Sequence, residues 1–263
     1  MAGRTALISG SSRGIGAGIA QELSSRGANI VLNYPYASEQ ATCESVGATL
    51  ATPWIAVCAD LTTDHGATDL VAAAVARFGH IDIVVSNAGI VPLAPLWDAD
   101  LATWDAAMGL NARGAFSLAR ASLPHLTPYT PTGQISGAAG GSRIVIVGSA
   151  ASRAPKKSQG VYAATKGALD AMLRVWAAEL PPRYGCTVNL VAPGPVYTET
   201  FRSHFKTEGD FEAVKAMIEA ETPVEGGMAS VEDVAWAVAF LAEERSRFIN
   251  GEYMFVSGGS TMG

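Results

Sequence analysis

Charged residues are scarce in this chain of 263 residues, since Asp, Glu, Lys and Arg make up 16% of it and the formal net charge is −6. Proteins that bind nucleic acid or anionic membranes carry a basic surface, so we expect neither partner. The hydrophobic share of 49% supplies a core and argues against disorder. The length predicts a single domain over residues 1–263.

Cysteine is also rare. Cys43, Cys58 and Cys186 lie far apart without a CxxC pair, which argues against a disulfide framework and favours a reducing compartment. The four histidines lack the spacing of metal ligands. No apolar run is long enough to span a membrane, and residues 1–10 enter a strand-like run without a signal-peptide pattern. We therefore expect a soluble, cytoplasmic protein that holds no metal.

Seven short apolar runs alternate with stretches of helical periodicity, which predicts an α/β fold with a doubly wound, Rossmann-type parallel sheet and helices on both faces. In such a sheet, ligands bind beyond the carboxyl ends of the strands. The predicted strands are 5–9, 29–33, 54–59, 81–86, 143–147, 187–192 and 253–256. The predicted helices are 17–25, 64–78, 103–123, 162–180 and 231–243.

Two segments interrupt this alternation. Residues 127–142 are crowded with Gly, Pro, Ser and Thr, which predicts a flexible surface loop without an assigned function. Residues 195–228 carry several aromatic side chains around a short helix predicted at 211–221. This second segment is either a substrate lid or local packing under a long loop.

A glycine-rich turn follows the first strand, with the sequence SGSSRGIG at residues 9–16. Its glycines allow a tight turn and a close approach of the backbone to a ligand, and the free N–H groups of the next helix suit a pyrophosphate. Glycine clusters also form plain turns, but the position between a strand and a helix favours dinucleotide binding. The candidate contacts are Gly10, Ser12, Arg13, Gly14, Ile15 and Gly16.

The second strand ends in Asn33 and Tyr34, without the carboxylate that NAD-preferring enzymes place against the ribose 2′-hydroxyl. Arg13, with Asn33, Tyr34 and Ser38, offers hydrogen-bond donors to a 2′-phosphate. This pattern predicts NADP(H) in preference to NAD(H). The alternatives are a solvated loop arginine and a mixed cofactor preference.

Tyr162 and Lys166 stand four residues apart in a predicted helix, so their side chains share one face. A nearby ammonium favours the phenolate, and a shift of about three pKa units requires roughly 4 kcal/mol of differential stabilisation. The pair predicts a tyrosine that acts as an acid or a base near neutral pH. Taken alone, such a pair is usually a surface feature.

Further polar residues stand where the predicted strands end. Ser149 directly follows the fifth strand, where its hydroxyl can bind a carbonyl oxygen. Asn111 lies inside a predicted helix, which is unfavourable for asparagine and indicates a role beyond helix propensity, although an exposed asparagine is the alternative. Turns at Asn87-Ala88-Gly89 and Pro193-Gly194 complete this edge.

The ordered series of SGSSRGIG, Asp60, NAG, Asn111, Ser149, Tyr162 with Lys166, and PGxxxT ending at Thr198 resembles the classical short-chain dehydrogenase/reductase family over nearly the whole chain. The pattern is most similar to NADPH-dependent ketoreductases of the β-ketoacyl carrier-protein reductase and fungal hydroxynaphthalene reductase types. The departures are small: Ser9, Gly148 and Ser257 replace residues that are more frequent in the family.

The resemblance implies an oxidoreductase that moves a hydride between NADP(H) and a small-molecule ketone or secondary alcohol. Tyr162 would transfer the proton, Ser149 would orient the substrate oxygen, and Lys166 would lower the tyrosine pKa and bind the nicotinamide ribose. Asn111 would hold a water that links Lys166 to solvent. Further cofactor contacts would come from Tyr162 and Lys166 themselves and from Asp60, Leu61, Asn87, Ala88, Gly89, Pro193, Gly194, Val196 and Thr198.

The aromatic content of the 195–228 segment predicts a hydrophobic or ring-bearing substrate. The resemblance also implies a homotetramer or homodimer packed through the helices at 103–123 and 162–180. Two other functions stay open. One is a cofactor-binding regulator without catalysis, and the other is an epimerase or dehydratase that recycles its cofactor.

Overall fold

A computed structural model of the protein describes residues 1–127 and 141–262. Most of the loop predicted at 127–142 lies outside the described residues. The architecture is a parallel sheet covered by helices on both faces, which confirms the predicted fold class.

Seven strands form one sheet in the order β3-β2-β1-β4-β5-β6-β7, and every neighbouring pair is parallel. Each strand lies within two residues of its predicted bounds at either end. The strands are β1 (Thr5–Ile8), β2 (Asn29–Tyr34), β3 (Trp54–Cys58), β4 (Ile83–Ser86), β5 (Arg143–Val147), β6 (Thr187–Pro193) and β7 (Tyr253–Val256).

The predicted helices are all present, with three differences. The short helix Glu199–Arg202 was not predicted. A helix over residues 40–47 was not predicted, because only Cys43 and Gly47 of that segment are buried and the apolar pattern is weak. The helix predicted at 103–123 contains a wider π-helical segment, Met108–Gly114. The helices are α1 (Gly14–Ser25), α2 (Gln40–Gly47), α3 (Gly66–Phe78), α4 (Leu101–Ala107), α5 (Ala115–Ser122), α6 (Gly160–Tyr184), α7 (Glu199–Arg202), α8 (Glu208–Glu221) and α9 (Val231–Ala242).

Apolar side chains from both faces of the sheet are buried, as expected for a parallel sheet between two helical layers. Alternate residues of β1 point to opposite faces, so Ile8 packs with helices α1 and α9 while Leu7 packs with α3, α5 and α6. These two cores fix the strands in register. They leave the loops at the carboxyl ends of the strands to form the ligand site.

The order of the strands reverses between β1 and β4, where consecutive crossovers lead to opposite sides of the sheet. Loops diverge at such a switch point and open a crevice. A cleft of about 590 Å³ lies there, and the glycine turn after β1 and the Asn87-Ala88-Gly89 turn after β4 both line it.

Candidate active site

The cleft brings together most of the residues predicted from the sequence. They come from the ends of strands that are far apart in the chain, which is the arrangement that the alternating pattern predicts. The predicted residues that line the cleft are Gly10, Ser12, Arg13, Gly14, Ile15, Gly16, Asn33, Asp60, Leu61, Asn87, Ala88, Gly89, Ser149, Tyr162, Lys166, Pro193, Gly194, Val196 and Thr198.

The glycine turn is built so that its backbone can touch a ligand. Gly10 has φ +61°, which favours glycine. A Cβ on Gly16 would lie 2.3 Å from the carbonyl oxygen of Gly10, so no larger residue fits there. The Asn87 side chain holds the turn, since its Nδ2 donates to the carbonyl oxygens of Ser9 and Gly10 at 2.9 Å.

Helix α1 starts directly after this turn, and no side chain caps its first N–H groups. Uncapped N–H groups together with the positive end of the helix dipole form an anion site. The turn and the helix therefore fit the pyrophosphate of a dinucleotide.

Two residues at or just after the end of β2 that were predicted to contact the cofactor, Tyr34 and Ser38, do not line the cleft. Tyr34 is 5% exposed and packs in the core with Cys43, because alternation along β2 turns it away from the neighbouring Asn33. Ser38 is exposed on the 3₁₀ turn Ala37–Glu39. Tyr34 and Ser38 are therefore absent from the cleft lining, and their contacts with the cofactor stay predictions.

Asn33 does line the cleft, but its side chain ties strand ends together. Its Oδ1 accepts a hydrogen bond from the Gly10 N–H at 3.0 Å, and its Nδ2 donates to the Ala59 carbonyl at 2.9 Å. Both groups of the amide are therefore occupied within the protein. Asn33 acts here as a clamp between the ends of β1, β2 and β3.

Sequence reasoning missed Glu39, which lines the cleft. The Ser12 hydroxyl donates to its Oε2 at 2.9 Å, and the Arg13 guanidinium forms an ion pair with its Oε1. A carboxylate was expected only at the last residue of β2, whereas the 3₁₀ turn Ala37–Glu39 carries Glu39 back to the glycine turn.

Ser149 and Tyr162 meet at the end of β5. The Ser149 hydroxyl accepts a hydrogen bond from the Ala151 N–H at 3.2 Å, and Tyr253 donates to the Ser149 carbonyl at 2.7 Å. Burial raises the pKa of Tyr162, and a hydrogen bond from the Ser149 side chain lowers it in part. The side chains of Ser149 and Tyr162 therefore interact at the cleft wall, which both residues line.

Lys166 lies one turn further along α6. Its side chain is 5% exposed, its Nζ donates to the Val147 carbonyl at 2.9 Å, and this Nζ is 5.8 Å from the centre of the Tyr162 ring. Desolvation lowers the pKa of Lys166 to about 8. The expected downward shift of the Tyr162 pKa is not found in the protein alone, because burial of the phenol outweighs the other influences on it.

Asn111 sits in the π-helical segment and is 1% exposed. Its Oδ1 accepts from the Ile90 N–H at 2.8 Å, while its Nδ2 donates to the Ile90 carbonyl at 2.8 Å and to the Thr165 hydroxyl at 3.0 Å. Asn111 thus joins the loop after β4 to the residue that precedes Lys166. The exposed alternative is wrong, and the predicted water stays a prediction.

The 195–228 segment lines the cleft with both apolar and polar side chains. Phe201, Phe205 and Ile218 of the 195–228 segment line it. Phe201 and Phe205 pack edge-to-face with the buried Phe211, with ring centres 6.4 and 5.7 Å from the Phe211 ring. Aromatic residues of this segment thus pack locally and also line the cleft, and the substrate lid stays a prediction.

The loop after β4 also contributes to the cleft lining. Of residues 91–97, Val91 and Leu93 line the cleft. Leu96 and Trp97 are 89% and 84% exposed. Lys156 and Glu221 of α8 also line the cleft, and their ion pair at 2.7 Å connects the loop after β5 with the 195–228 segment.

Among residues 1–127 and 141–262, no group of His, Cys, Asp and Glu side chains has the arrangement of a metal site. Within the same ranges, no helix is sufficiently long and apolar to cross a membrane.

Known proteins resemble this chain over nearly its full length. A family model described as enoyl-(acyl carrier protein) reductase matches residues 10–261. Short-chain dehydrogenase/reductase FrzI from Cladobotryum sp. is 38% identical, with 97% of this chain and 95% of the relative covered. Hydroxynaphthalene reductase arp2 from Aspergillus fumigatus is 32% identical, with 96% and 90% covered.

Among solved structures, a blue fluorescent protein from a metagenomic library in complex with NADPH superposes with a TM-score of 0.82 at 32% identity, covering 99% of both chains. With the fold and the cleft in agreement, these relatives show that the chain is an oxidoreductase and belongs to the classical short-chain dehydrogenase/reductase family.

Proposed function

We propose that this protein transfers a hydride between NADP(H) and a ketone or secondary alcohol, with Tyr162 as the group that gives or takes the proton. The observation that carries the proposal is the convergence of Ser149, Tyr162 and Lys166 on one cleft that also contains the glycine turn. A protein that only binds a dinucleotide needs the turn but has no use for the three polar groups.

Each of these residues has a separate role in the proposed reaction. NADPH, when bound, supplies the hydride. Ser149 and Tyr162 place two hydroxyls where a carbonyl oxygen would accept hydrogen bonds, and the Tyr162 hydroxyl donates the proton that makes this oxygen an alcohol. Lys166, protonated below its pKa of about 8, supplies positive charge one helical turn from the phenol.

Several features support NADP(H) as the cofactor. β2 ends without a carboxylate, and Arg13 and Ser12 lie in the cleft lining as donors for a phosphate. The solved relative that binds NADPH adds support by analogy. We propose the pyrophosphate at the N-terminus of α1 and the adenine beside Asp60 and Leu61.

For the substrate, we propose a hydrophobic or ring-bearing carbonyl compound. Phe201, Phe205 and Ile218 contribute apolar surface to the cleft lining, and the relative named hydroxynaphthalene reductase supports a ring by analogy. Residues 195–228 would act as the lid over this substrate. Exposed Trp104 and Phe116 on α4 and α5 support self-association as a dimer or tetramer, and the cytoplasmic location stays a prediction.

The test is a spectrophotometric assay that follows oxidation of NADPH or NADH with a panel of aromatic ketones, aliphatic ketones and small charged keto acids. The expected result is consumption of NADPH, fastest with the aromatic ketones. Binding of NADPH without consumption across the panel would contradict the proposed reaction and favour a regulator or an enzyme that recycles its cofactor. Preference for the charged keto acids would contradict the substrate class.

A further inference from the structure

Glu39 holds both of the side chains that would bind a 2′-phosphate. Its two carboxylate oxygens are divided between them, with Oε2 accepting from the Ser12 hydroxyl at 2.9 Å and Oε1 paired with the Arg13 guanidinium. The Glu39 side chain is 22% exposed and lies at the cleft wall. The carboxylate does not cap helix α2, at whose start it stands, so its polar partners are those of the glycine turn.

A hydroxyl beside a guanidinium is a suitable pair of donors for a phosphate monoester. A carboxylate that already accepts from both groups carries the same charge sign as that phosphate. The Ser12 hydroxyl has one hydrogen to donate, so the two anions compete for it, and their like charges repel one another when both lie beside Arg13. A cofactor with a 2′-hydroxyl meets no such conflict.

We propose that Glu39 is a specificity-determining residue that competes with the 2′-phosphate for Ser12 and Arg13. This inference rests on the proposed NADP(H)-dependent function and deepens it. Glu39 lowers the affinity for NADP(H) relative to NAD(H). The protein therefore prefers NADP(H) less strongly than it would if Arg13 were not paired with Glu39. Loss of one exposed ion pair and of one like-charge repulsion corresponds to about a tenfold change in the ratio of the two dissociation constants.

The experiment compares Glu39→Gln with the wild type by isothermal titration calorimetry. Glutamine keeps the size of the side chain and removes its charge. The probes are 2′,5′-ADP and 5′-AMP, which differ by the 2′-phosphate alone, followed by NADPH and NADH. Glu44→Gln is the matched control, because it makes the same charge change on an exposed side chain of α2 that accepts a hydrogen bond from Gln40 rather than from the glycine turn.

In Glu39→Gln, the Kd of 2′,5′-ADP divided by that of 5′-AMP is expected to fall about tenfold, and the NADPH to NADH ratio is expected to fall with it. In Glu44→Gln, both ratios are expected to stay within twofold of wild type. An unchanged ratio in Glu39→Gln overturns the proposal. A ratio that rises also overturns it, since Glu39 would then orient Arg13 for the phosphate instead of competing with it.

These outcomes are separate from a failure of the proposed function. A wild-type protein that turns over with NADH and rejects NADPH would refute the NADP(H) dependence, yet the Glu39→Gln ratio could still fall. If the protein consumes NADPH but Glu39→Gln leaves the ratio of dissociation constants unchanged, the proposed function stands and the inference about Glu39 is wrong.

Discussion

Replacing Asn111 with alanine tests how the π-helical segment supports the site. The substitution removes two hydrogen bonds to the backbone of Ile90 and one to Thr165. Each is worth about 1 kcal/mol net, and the Ile90 groups lose partners that water only partly replaces. Alanine has the better helix propensity, which stabilises the folded state by about 0.5 kcal/mol. We therefore expect the free energy of unfolding to fall by about 2 to 3 kcal/mol.

For a chain of this length, such a loss lowers the unfolding midpoint by roughly 5–10 °C. The assay is thermal unfolding followed by circular dichroism at a fixed protein concentration, because self-association would make the midpoint depend on concentration. Asp105→Ala, an exposed position in α4, is the control and should change stability by no more than about 0.5 kcal/mol. If Asn111→Ala unfolds within about 1 °C of wild type, the bonds to Ile90 and Thr165 do not hold the loop as we argue.

Two further substitutions test the packing and the charge of the site. Gly148→Ala would place a Cβ 2.5 Å from Cδ2 of the buried Leu190. We expect the free energy of unfolding, measured with urea, to fall by ~1–3 kcal/mol. The added substitution Leu190→Val should restore part of this loss, and no recovery would contradict the clash. Lys166→Met tests the pKa of about 8, which is below the ordinary 10.5. Between these values the unfolded chain binds a proton that the folded chain has lost. The free energy of unfolding of the wild type should therefore rise with pH across this range, by about 3 kcal/mol relative to the variant. A difference between the two proteins that does not change with pH would contradict the buried ammonium.

The sheet and the catalytic cluster could be predicted because both follow from local patterns. Apolar runs separated by helical periodicity determine a parallel sheet, and a parallel sheet brings the residue after each strand to one edge. Ser149 and the pair of Tyr162 and Lys166 are found in this way, without knowledge of any distance. The oxidoreductase family followed from the same ordered motifs.

The features that sequence reasoning missed depend on tertiary structure. Glu39 reaches the glycine turn through a 3₁₀ turn whose direction no local pattern indicates. The π-helical turn around Asn111 repeats too few residues to alter the apparent period of the helix. The direction of the Tyr162 pKa depends on burial, which the spacing to Lys166 does not reveal. Tyr34 is different, since strand alternation alone would have separated it from Asn33.

The central claim is that Tyr162 transfers the proton, while most of the predicted cofactor contacts in the same cleft come from other residues. Tyr162→Phe removes one hydroxyl, and Tyr184→Phe, at the other end of the same helix and outside the cleft lining, is its control. The deciding measurement combines NADPH binding by fluorescence titration with steady-state turnover of the best ketone. We predict that Tyr162→Phe binds NADPH within about threefold of wild type while kcat falls by about 10²–10⁴. Turnover close to that of the wild type and of Tyr184→Phe would contradict the account.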